Sequence, residues 1–361
     1  MVIWISFLSF ILILLALDLG VFHRRAHVVS VREALTWTLV WVATAFAFAG
    51  VIYIGYDRHW LGLGLAPDAV DRSTEWPEGR VNDARSAVLK FLTGYLVELS
   101  LSADNVFVIA MLFSYFAIPR MYQHRVLFWG ILGALAMRGA MIAIGVQLVS
   151  RFSWTLPLFG VVLIATAGRM LLMGDQPADP GQKFIVRLMR RLLPMTTTFH
   201  GEHFLVKRQS HGQSASRWLL TPLAPALVMV ETTDLIFAVD SIPAIFAVTT
   251  DPFLVYTSNV FAILGLRSMY FLLAGVVHKF IYLKYGLAAI LTFVGGKMLI
   301  AHWYHMPVHY SLGFIILALA GTLAASFLFP VPPKDVIDEK QGKTGSIFGS
   351  VQPRPRQPEE K

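Results

Sequence analysis

The sequence predicts an all-α, polytopic membrane protein of about nine transmembrane helices, and its composition is the first reason. Of the 361 residues, 56% are hydrophobic and only 14% are charged, and the mean hydropathy is +0.62. A soluble domain of this length needs far more polar surface, so we expect a lipid bilayer to be the solvent.

The second reason is a series of apolar runs, each long enough to cross roughly 30 Å of hydrocarbon with about 20 residues. The nine runs lie at 2–19, 35–56, 87–117, 126–149, 154–173, 221–249, 254–276, 284–302 and 309–330. The first has no basic residues before it, so we interpret it as a retained anchor and not as a cleaved signal peptide.

The third reason is the distribution of basic residues. If the N-terminus lies outside, twenty Lys and Arg fall on the cytoplasmic side of the nine spans and six fall outside. This asymmetry follows the positive-inside rule and predicts a periplasmic N-terminus and a cytoplasmic C-terminus. Although the net charge is +8, the basic residues form no single patch, so nucleic acid is not an expected partner.

Several chemistries are excluded by residues that the chain lacks. It contains no cysteine, which excludes disulfides, thiolate metal sites and cysteine nucleophiles. It also lacks the HExxH, P-loop and GxSxG motifs, so we do not expect an enzyme. Intramembrane aspartyl proteolysis needs two facing Asp residues, which Asp104 and Asp240 can supply, but nothing around them favours that chemistry.

An internal duplication relates two parts of the chain. ELSLSADN (98–105) aligns with DLIFAVDS (234–241), and ILGALAMRG (131–139) aligns with FAILGLRS (261–268). GRMLL at 168–172 and GKMLI at 296–300 follow in the same order. Each copy is a three-helix unit, and the second begins on the opposite side of the membrane, so we predict an inverted repeat, as in many secondary transporters.

The duplication divides the chain into six predicted segments. These are two N-terminal spans with an acidic periplasmic loop (1–86), the first repeat (87–173), a basic cytoplasmic connector (174–220), the second repeat (221–302), the last span (303–330) and a disordered tail (331–361).

The third and sixth spans carry acidic residues among apolar ones, namely Glu98, Asp104, Glu231, Asp234 and Asp240. One ionised carboxylate at the bilayer centre costs roughly 2.5–3.5 kcal/mol, so a cation, a proton or an arginine must offset it. Carboxylates with neighbouring Asn and Ser oxygens are suitable ligands for a hard divalent ion. The alternative is a set of structural salt bridges from Arg138, Arg169, Arg267 and Lys297.

Helical geometry limits how these acids can meet. Glu98 and Asp104 are six residues apart, so they lie about 120° from each other on a regular helix. A local break would let them converge. Pro243 predicts such a break in the sixth span, with Asp240 capping a second half-helix; the equivalent break near Asp104 has no proline.

Three long stretches closely resemble the bacterial TerC/Alx family: YLVELSLSADNVFVIAMLFSYF (95–116), VETTDLIFAVDSIPAIFAVTTDPF (230–253) and SNVFAILGLRSMYFLLAG (258–275). The likeness extends from about Asp18 to Phe329. It implies a bacterial inner-membrane protein of manganese homeostasis, chiefly a Mn²⁺ exporter. By motif match, the acidic residues of the family correspond to Glu98, Asp104, Asp234 and Asp240.

We therefore expect a secondary transporter that exports a divalent cation, most simply Mn²⁺, in exchange for protons. The predicted metal ligands are Glu98, Asp104, Asn105, Asp234, Asp240 and Ser241, with Asp18, Glu231, Arg138 and Arg267 as accessory residues. The expected partners are the bilayer, the metal ion and protons, with no tightly bound cofactor. The alternatives are Ca²⁺/H⁺ exchange, and a membrane partner or scaffold that delivers metal to exported proteins.

Two histidine groups have two interpretations each. The first is His200, His203 and His211, and the second is His302, His305 and His309. Either group has the spacing of a metal relay. The first also fits a short hairpin around FLVKRQ (204–209), and the second fits an interfacial aromatic belt with Trp303 and Tyr304.

Overall fold

Nine α-helices, one short 3₁₀ helix (Trp60–Gly62) and one short hairpin make up the regular structure of the described chain in the computed structural model. The structure describes residues 2–17, 29–65, 68, 82–152, 154–172, 191, 194–196, 198–199, 201–208, 217–273, 282–301, 303–304 and 306–329. The predicted tail and Asp18 lie outside these residues, as do His200, His211, His302 and His305.

The helices follow the apolar runs closely. They are α1 (Val2–Leu17), α2 (Val31–Asp57), α3 (Ala84–Tyr115), α4 (Arg120–Arg151), α5 (Thr155–Leu172), α6 (Leu223–Phe246), α7 (Pro252–Leu273), α8 (Leu283–Ile300) and α9 (Val308–Leu328). The prediction of an all-α polytopic membrane protein is confirmed.

Six helices within the described residues are long and apolar enough to cross a membrane: α2, α3, α4, α5, α8 and α9. Helix α1 is shorter, with 16 residues. Helix α6 contains Glu231, Asp234 and Asp240, and α7 contains Asn259 and Arg267. These polar residues lower the apolar character of α6 and α7, and most of them face the interior of the bundle.

Strands β1 (Leu205–Arg208) and β2 (Arg217–Leu220) form an antiparallel hairpin within the segment that joins α5 to α6. The hairpin predicted around 204–209 is thus confirmed. Glu202, just before β1, accepts a 2.8 Å hydrogen bond from Arg125 on α4. This ion pair attaches the connector to the end of the bundle where α4 begins.

Helix α3 lies at the centre of the bundle and packs against α2, α6, α7 and α9. Across the predicted repeats, α3 packs on α7, α4 packs on α6, and α5 packs on α8. These exchanged contacts are what a two-fold relation between the units α3–α5 and α6–α8 would give. The inverted repeat itself stays a prediction.

The predicted breaks in the two acidic helices are wrong. Helix α3 is continuous from Ala84 to Tyr115, and α6 is continuous from Leu223 to Phe246. Pro243 is accommodated because it lies in the last turn of α6, where a missing N–H and a displaced carbonyl disturb only the end of the helix.

Candidate functional site

A buried arginine joins four helices in the middle of the bundle. Arg138 is on α4 and is 1% exposed. Its Nε and Nη2 donate to the two carboxylate oxygens of Asp234 on α6, at 3.2 and 2.7 Å. Its Nη1 donates to Glu98 Oε1 on α3, and to Asn259 Oδ1 on α7 at 2.6 Å. Ser241 Oγ lies 3.4 Å from the same nitrogen; we call these five residues the arginine cluster.

The charges of the arginine cluster do not balance. The planar guanidinium binds Asp234 with two parallel hydrogen bonds, an arrangement that Arg forms better than Lys. Glu98 and Asp234 nevertheless supply two carboxyl groups to one fixed positive charge. A buried charge is strongly disfavoured unless it is paired, so the second carboxyl group calls for a further positive charge, which the buried Arg267 at the adjoining cavity or a metal cation would supply.

Several polar atoms of this region have no hydrogen-bond partner among the described residues. They are Glu98 Oε2, Asn105 Oδ1, Glu231 Oε2 and Asn259 Nδ2. Buried polar groups are nearly always satisfied by protein, water or an ion. The three oxygens therefore mark positions where water or a cation would bind.

A small cavity lies next to the cluster. Its polar lining is Asn105, Thr233, Asp234 and Arg267, and its remaining walls are apolar side chains of α3, α4, α6 and α7. Its volume is about 20 Å³, which suffices for one ordered water molecule. Asp234 belongs to both the cavity and the arginine cluster, so it connects the two.

Ser102 extends the cluster along α3. Its hydroxyl donates to Glu98 Oε1 at 3.3 Å, and it is 1% exposed. Glu98, Ser102 and Asn105 lie on one face of α3 because they are spaced by four and three residues. This face points into the bundle, which explains why all three side chains are buried.

Two predicted ligands lie apart from the others. Asp240 on α6 accepts a 2.9 Å hydrogen bond from Thr166 on α5 and lies in the electrostatic field of Arg169. Asp104 is half-buried and lies on a different side of α3 from Glu98. Because the helices are unbroken, residues six apart cannot converge, and the structure does not bring the six predicted ligands into one shell.

Within the described ranges, no three His, Cys, Asp or Glu side chains form a group that could hold a metal ion. In the cluster, Arg138 occupies the space between Glu98 and Asp234. The structural salt-bridge alternative is thus confirmed for Arg138, which pairs with two of the acids, Glu98 and Asp234.

Glu231 lies one turn before Asp234 on α6 and faces α4. Its carboxylate packs directly against Gly133: a Cβ atom added there would lie 2.0 Å from Glu231 Oε1. Glycine at position 133 therefore makes room for the accessory acid. Arg267, another predicted accessory residue, lies at the cavity, 5% exposed.

Asn259 was not among the predicted ligands, although it is completely buried and contacts Arg138. A signal was present, because Asn259 lies within a predicted transmembrane span, where an amide side chain needs a polar partner. Its partner could not be identified from the chain alone, since α4 and α7 are distant in sequence.

Comparison with known proteins identifies relatives of the chain. Residues 84–331 match the model of the integral membrane protein TerC family. An uncharacterized membrane protein of Myxococcus xanthus is 48% identical over 326 residues, which cover 90% of this chain and 92% of the relative. No solved structure matches the chain.

Two further relatives carry the name "Putative membrane-bound redox modulator Alx". The one from Photorhabdus laumondii is 47% identical, over 89% of this chain and 92% of the relative. The one from Escherichia coli K12 is 45% identical, over 90% of this chain and 92% of the relative.

Proposed function

Because the chain belongs to the integral membrane protein TerC family, we propose that it is a secondary transporter that exports a divalent metal cation, Mn²⁺, in exchange for protons. The observation that carries the proposal is the arginine cluster, where one buried guanidinium faces two carboxyl groups beside a cavity. A structural salt bridge needs only one acid for each arginine. The cluster has a second acid and nearby oxygens without a hydrogen-bond partner, which a simple salt bridge does not need and a cation site does.

Arg138 acts in this proposal as an internal counter-ion of the empty site. With no metal present, its charge limits the repulsion between Glu98 and Asp234. When a divalent cation enters, the two carboxylates turn to the metal, and Arg138 keeps the hydrogen bond to Asn259. Protons compete with metal for the same carboxylates, which couples the two flows.

The cavity supplies the first position for the cargo. Asn105 Oδ1 is buried without a described partner, and Asp234 lines the same cavity. An amide oxygen and a carboxylate are ligands that Mn²⁺, Ca²⁺ and Mg²⁺ accept, with water completing the shell. In this proposal Asp104 and Asp240 bind the cation elsewhere on its route, either before it reaches the central site or after it has left.

The name of the Alx relatives points to redox modulation. The chain has no cysteine, so a redox effect through its own thiols is excluded. A transporter that supplies or removes a redox-active metal would produce such an effect without thiols of its own. Catalysis forms no part of the proposal, and we place the protein in the bacterial inner membrane with its N-terminus in the periplasm.

Four variants test the ion site, and each replaces one carboxylate by the uncharged amide of similar volume: Glu98→Gln, Asp104→Asn, Asp234→Asn and Asp240→Asn. The measurement is uptake of Mn²⁺ into inverted membrane vesicles, with Ca²⁺ as competitor. We expect Glu98→Gln and Asp234→Asn to reduce uptake at least tenfold while the protein inserts normally, and the other two to reduce it less. Normal uptake by all four variants at normal expression would refute the carboxylate site.

The alternative is a partner that delivers metal to exported proteins. It predicts no transport by purified protein in liposomes, whereas intrinsic transport needs no other protein. The same vesicle assay, repeated with purified protein, distinguishes the two.

A further inference from the structure

A second buried polar network closes the end of the bundle at which α2 and α6 end and α3 and α7 begin. We call it the end network, and its members are Tyr56, Asp68, Asn82, Lys90, Thr249, Thr250 and Asp251. Lys90 and Thr249 are 0% and 1% exposed, and Asp68 is 1% exposed. Under the predicted topology this is the periplasmic end.

Lys90 is the only ammonium among these residues and holds the network together. Its Nζ donates to Asp68 Oδ2 at 3.1 Å and to Asn82 Oδ1. Asp68 also accepts from the Thr249 hydroxyl, and from both the backbone N–H and the hydroxyl of Thr250, at 2.9 and 2.8 Å. Burial by itself raises the pKa of Asp68, but the Lys90 ammonium and these donors hold it below its usual value.

Asp251 joins the remaining segments. Its Oδ2 accepts from the Tyr56 hydroxyl of α2 at 2.8 Å and from Asn82 Nδ2 at 3.2 Å. Its Oδ1 accepts from the backbone N–H of Phe253 at 3.0 Å, which caps the first turn of α7. The end network therefore connects α2, α3 and the α6–α7 turn.

The end network lies in line with the arginine cluster. On α3, Lys90, Gly94, Glu98, Ser102 and Asn105 are spaced by four, four, four and three residues, so they share one face of the helix. Lys90 and Glu98 are about 12 Å apart along the helix axis, at 1.5 Å for each of eight residues.

The space between the two networks is tightly closed. Gly94 faces Ser258 on α7, and a Cβ atom added at Gly94 would lie 2.8 Å from Ser258 Oγ. Ser258 is 0% exposed. A route from the arginine cluster to this end of the bundle would pass between α3 and α7 at Ser258 and then meet Lys90.

We propose that the end network is a polar gate, closed in this structure, which opens by separating Lys90 from Asp68 and α3 from the α6–α7 turn. The proposal rests on the transport function above. In the closed state the Lys90 ammonium occupies the Asp68 carboxylate, so that this carboxylate is not available to a passing cation. After opening, the carboxylates of Asp68 and Asp251 offer oxygen ligands to a departing cation.

The polar character of the contact suits a gate. A hydrogen bond contributes much less to stability than its strength in isolation suggests, because water replaces the lost partner when the groups separate. An apolar seal of equal area would lose its burial on opening and gain nothing from water. A hydrogen-bonded gate therefore opens and closes between states of similar free energy.

The absence of native cysteine makes the gate directly testable. Ser258→Cys places one thiol between the two networks with little change in side-chain volume. The rate of its modification by a membrane-impermeant thiol reagent is measured in right-side-out and in inverted vesicles. With the end network intact, we expect slow modification from the side on which that network lies.

Three additional substitutions on this background open or spare the gate. Lys90→Met and the charge-balanced double variant Lys90→Met/Asp68→Asn are expected to raise the modification rate at least tenfold, from that side only. The double variant keeps the test valid if Lys90→Met alone fails to fold. It removes the Asp68 carboxylate together with the Lys90 ammonium, so neither charge is left buried without the other. Lys297→Met is the matched control, because Lys297 is another buried lysine that donates to Ser311 on α9, away from the gate.

The outcomes separate the gate from general loosening and from the transport proposal. Unchanged rates in both opening variants, or equal increases from both sides or with Lys297→Met, would overturn the gate. Modification needs no metal, so a one-sided increase in a protein that moves no Mn²⁺ would leave the gate standing and refute the transport function.

Discussion

At the residue scale, Arg138 is the side chain on which most of the central site depends. It is fully buried and binds Glu98, Asp234 and Asn259 together. Removing one partner of a buried ion pair leaves an uncompensated charge, which costs about 3–5 kcal/mol. Here the loss would leave two such carboxyl groups.

We therefore expect Arg138→Gln to lower the thermal stability of the purified protein by an amount equivalent to about 3–5 kcal/mol. Arg151→Gln is the control, because Arg151 is exposed in the last turn of the same helix. The triple variant Arg138→Gln/Glu98→Gln/Asp234→Asn carries no buried charge in the cluster and should recover most of the stability. Unfolding of Arg138→Gln at the wild-type temperature would show that the ion pairs contribute little.

The sequence identified individual acids better than their partners. Glu98 and Asp234 stood out because carboxylates in apolar helices are rare, and both are in the cluster. Spacing along one helix does not say which side chain of another helix it meets. For that reason Asn259 was missed, and the salt-bridge alternative named Arg138 without identifying Glu98 and Asp234 as its two partners.

The end network was missed for a related reason. Asp68 lies in the predicted periplasmic loop and Lys90 near the start of the third predicted span, and charged residues are ordinary in both places. Their burial results from the packing of the α6–α7 turn against α3, a contact between segments more than 150 residues apart. Only tertiary structure reveals it.

At the element scale, helix positions were largely predictable because apolar length determines them. The largest difference is at the start of α4, which begins at Arg120 and not near 126. Gln123 and Arg125 precede the predicted apolar run, but they are part of the helix, where they contact Tyr270 and Glu202. Polar residues do not end a helix that has such partners.

Helices α5 and α8 approach each other through glycine. A Cβ atom at Gly295 would lie 2.7 Å from the backbone oxygen of Gly160 and 2.9 Å from Ile164 Cγ1. Small residues at such crossings let two membrane helices pack with their backbones close together. Backbone cannot move aside as a flexible side chain can.

We expect Gly295→Ala to destabilise the protein by about 1–3 kcal/mol, the usual range for overpacking. The neighbouring Gly296→Ala is a matched control, because its Cβ atom would meet nothing within 4 Å, and it should be neutral or slightly stabilising. Thermal unfolding followed by size-exclusion chromatography measures both. Equal behaviour of the two variants would contradict the close crossing of α5 and α8.

At the scale of the whole molecule, the positive-inside rule predicts the orientation. Trp303→Cys, in the exposed turn between α8 and α9, should react with an impermeant thiol reagent from the periplasmic side. His211→Cys, in the basic connector, should react only from the cytoplasmic side. Periplasmic labelling at position 211 would overturn the predicted orientation.

The central claim is that the carboxyl groups of the arginine cluster bind either a metal ion or protons, so that metal efflux and proton entry are coupled. Glu98 and Asp234 supply two carboxyl groups to the one guanidinium of Arg138, and in this proposal metal ions and protons compete for the same oxygens. The most direct measurement uses purified protein in liposomes with an imposed proton gradient. The gradient should drive Mn²⁺ uphill, Mn²⁺ added alone should move protons the opposite way, and Asp234→Asn should abolish both movements. Transport that follows only the Mn²⁺ gradient, with no response to pH on either side, would contradict the exchange mechanism.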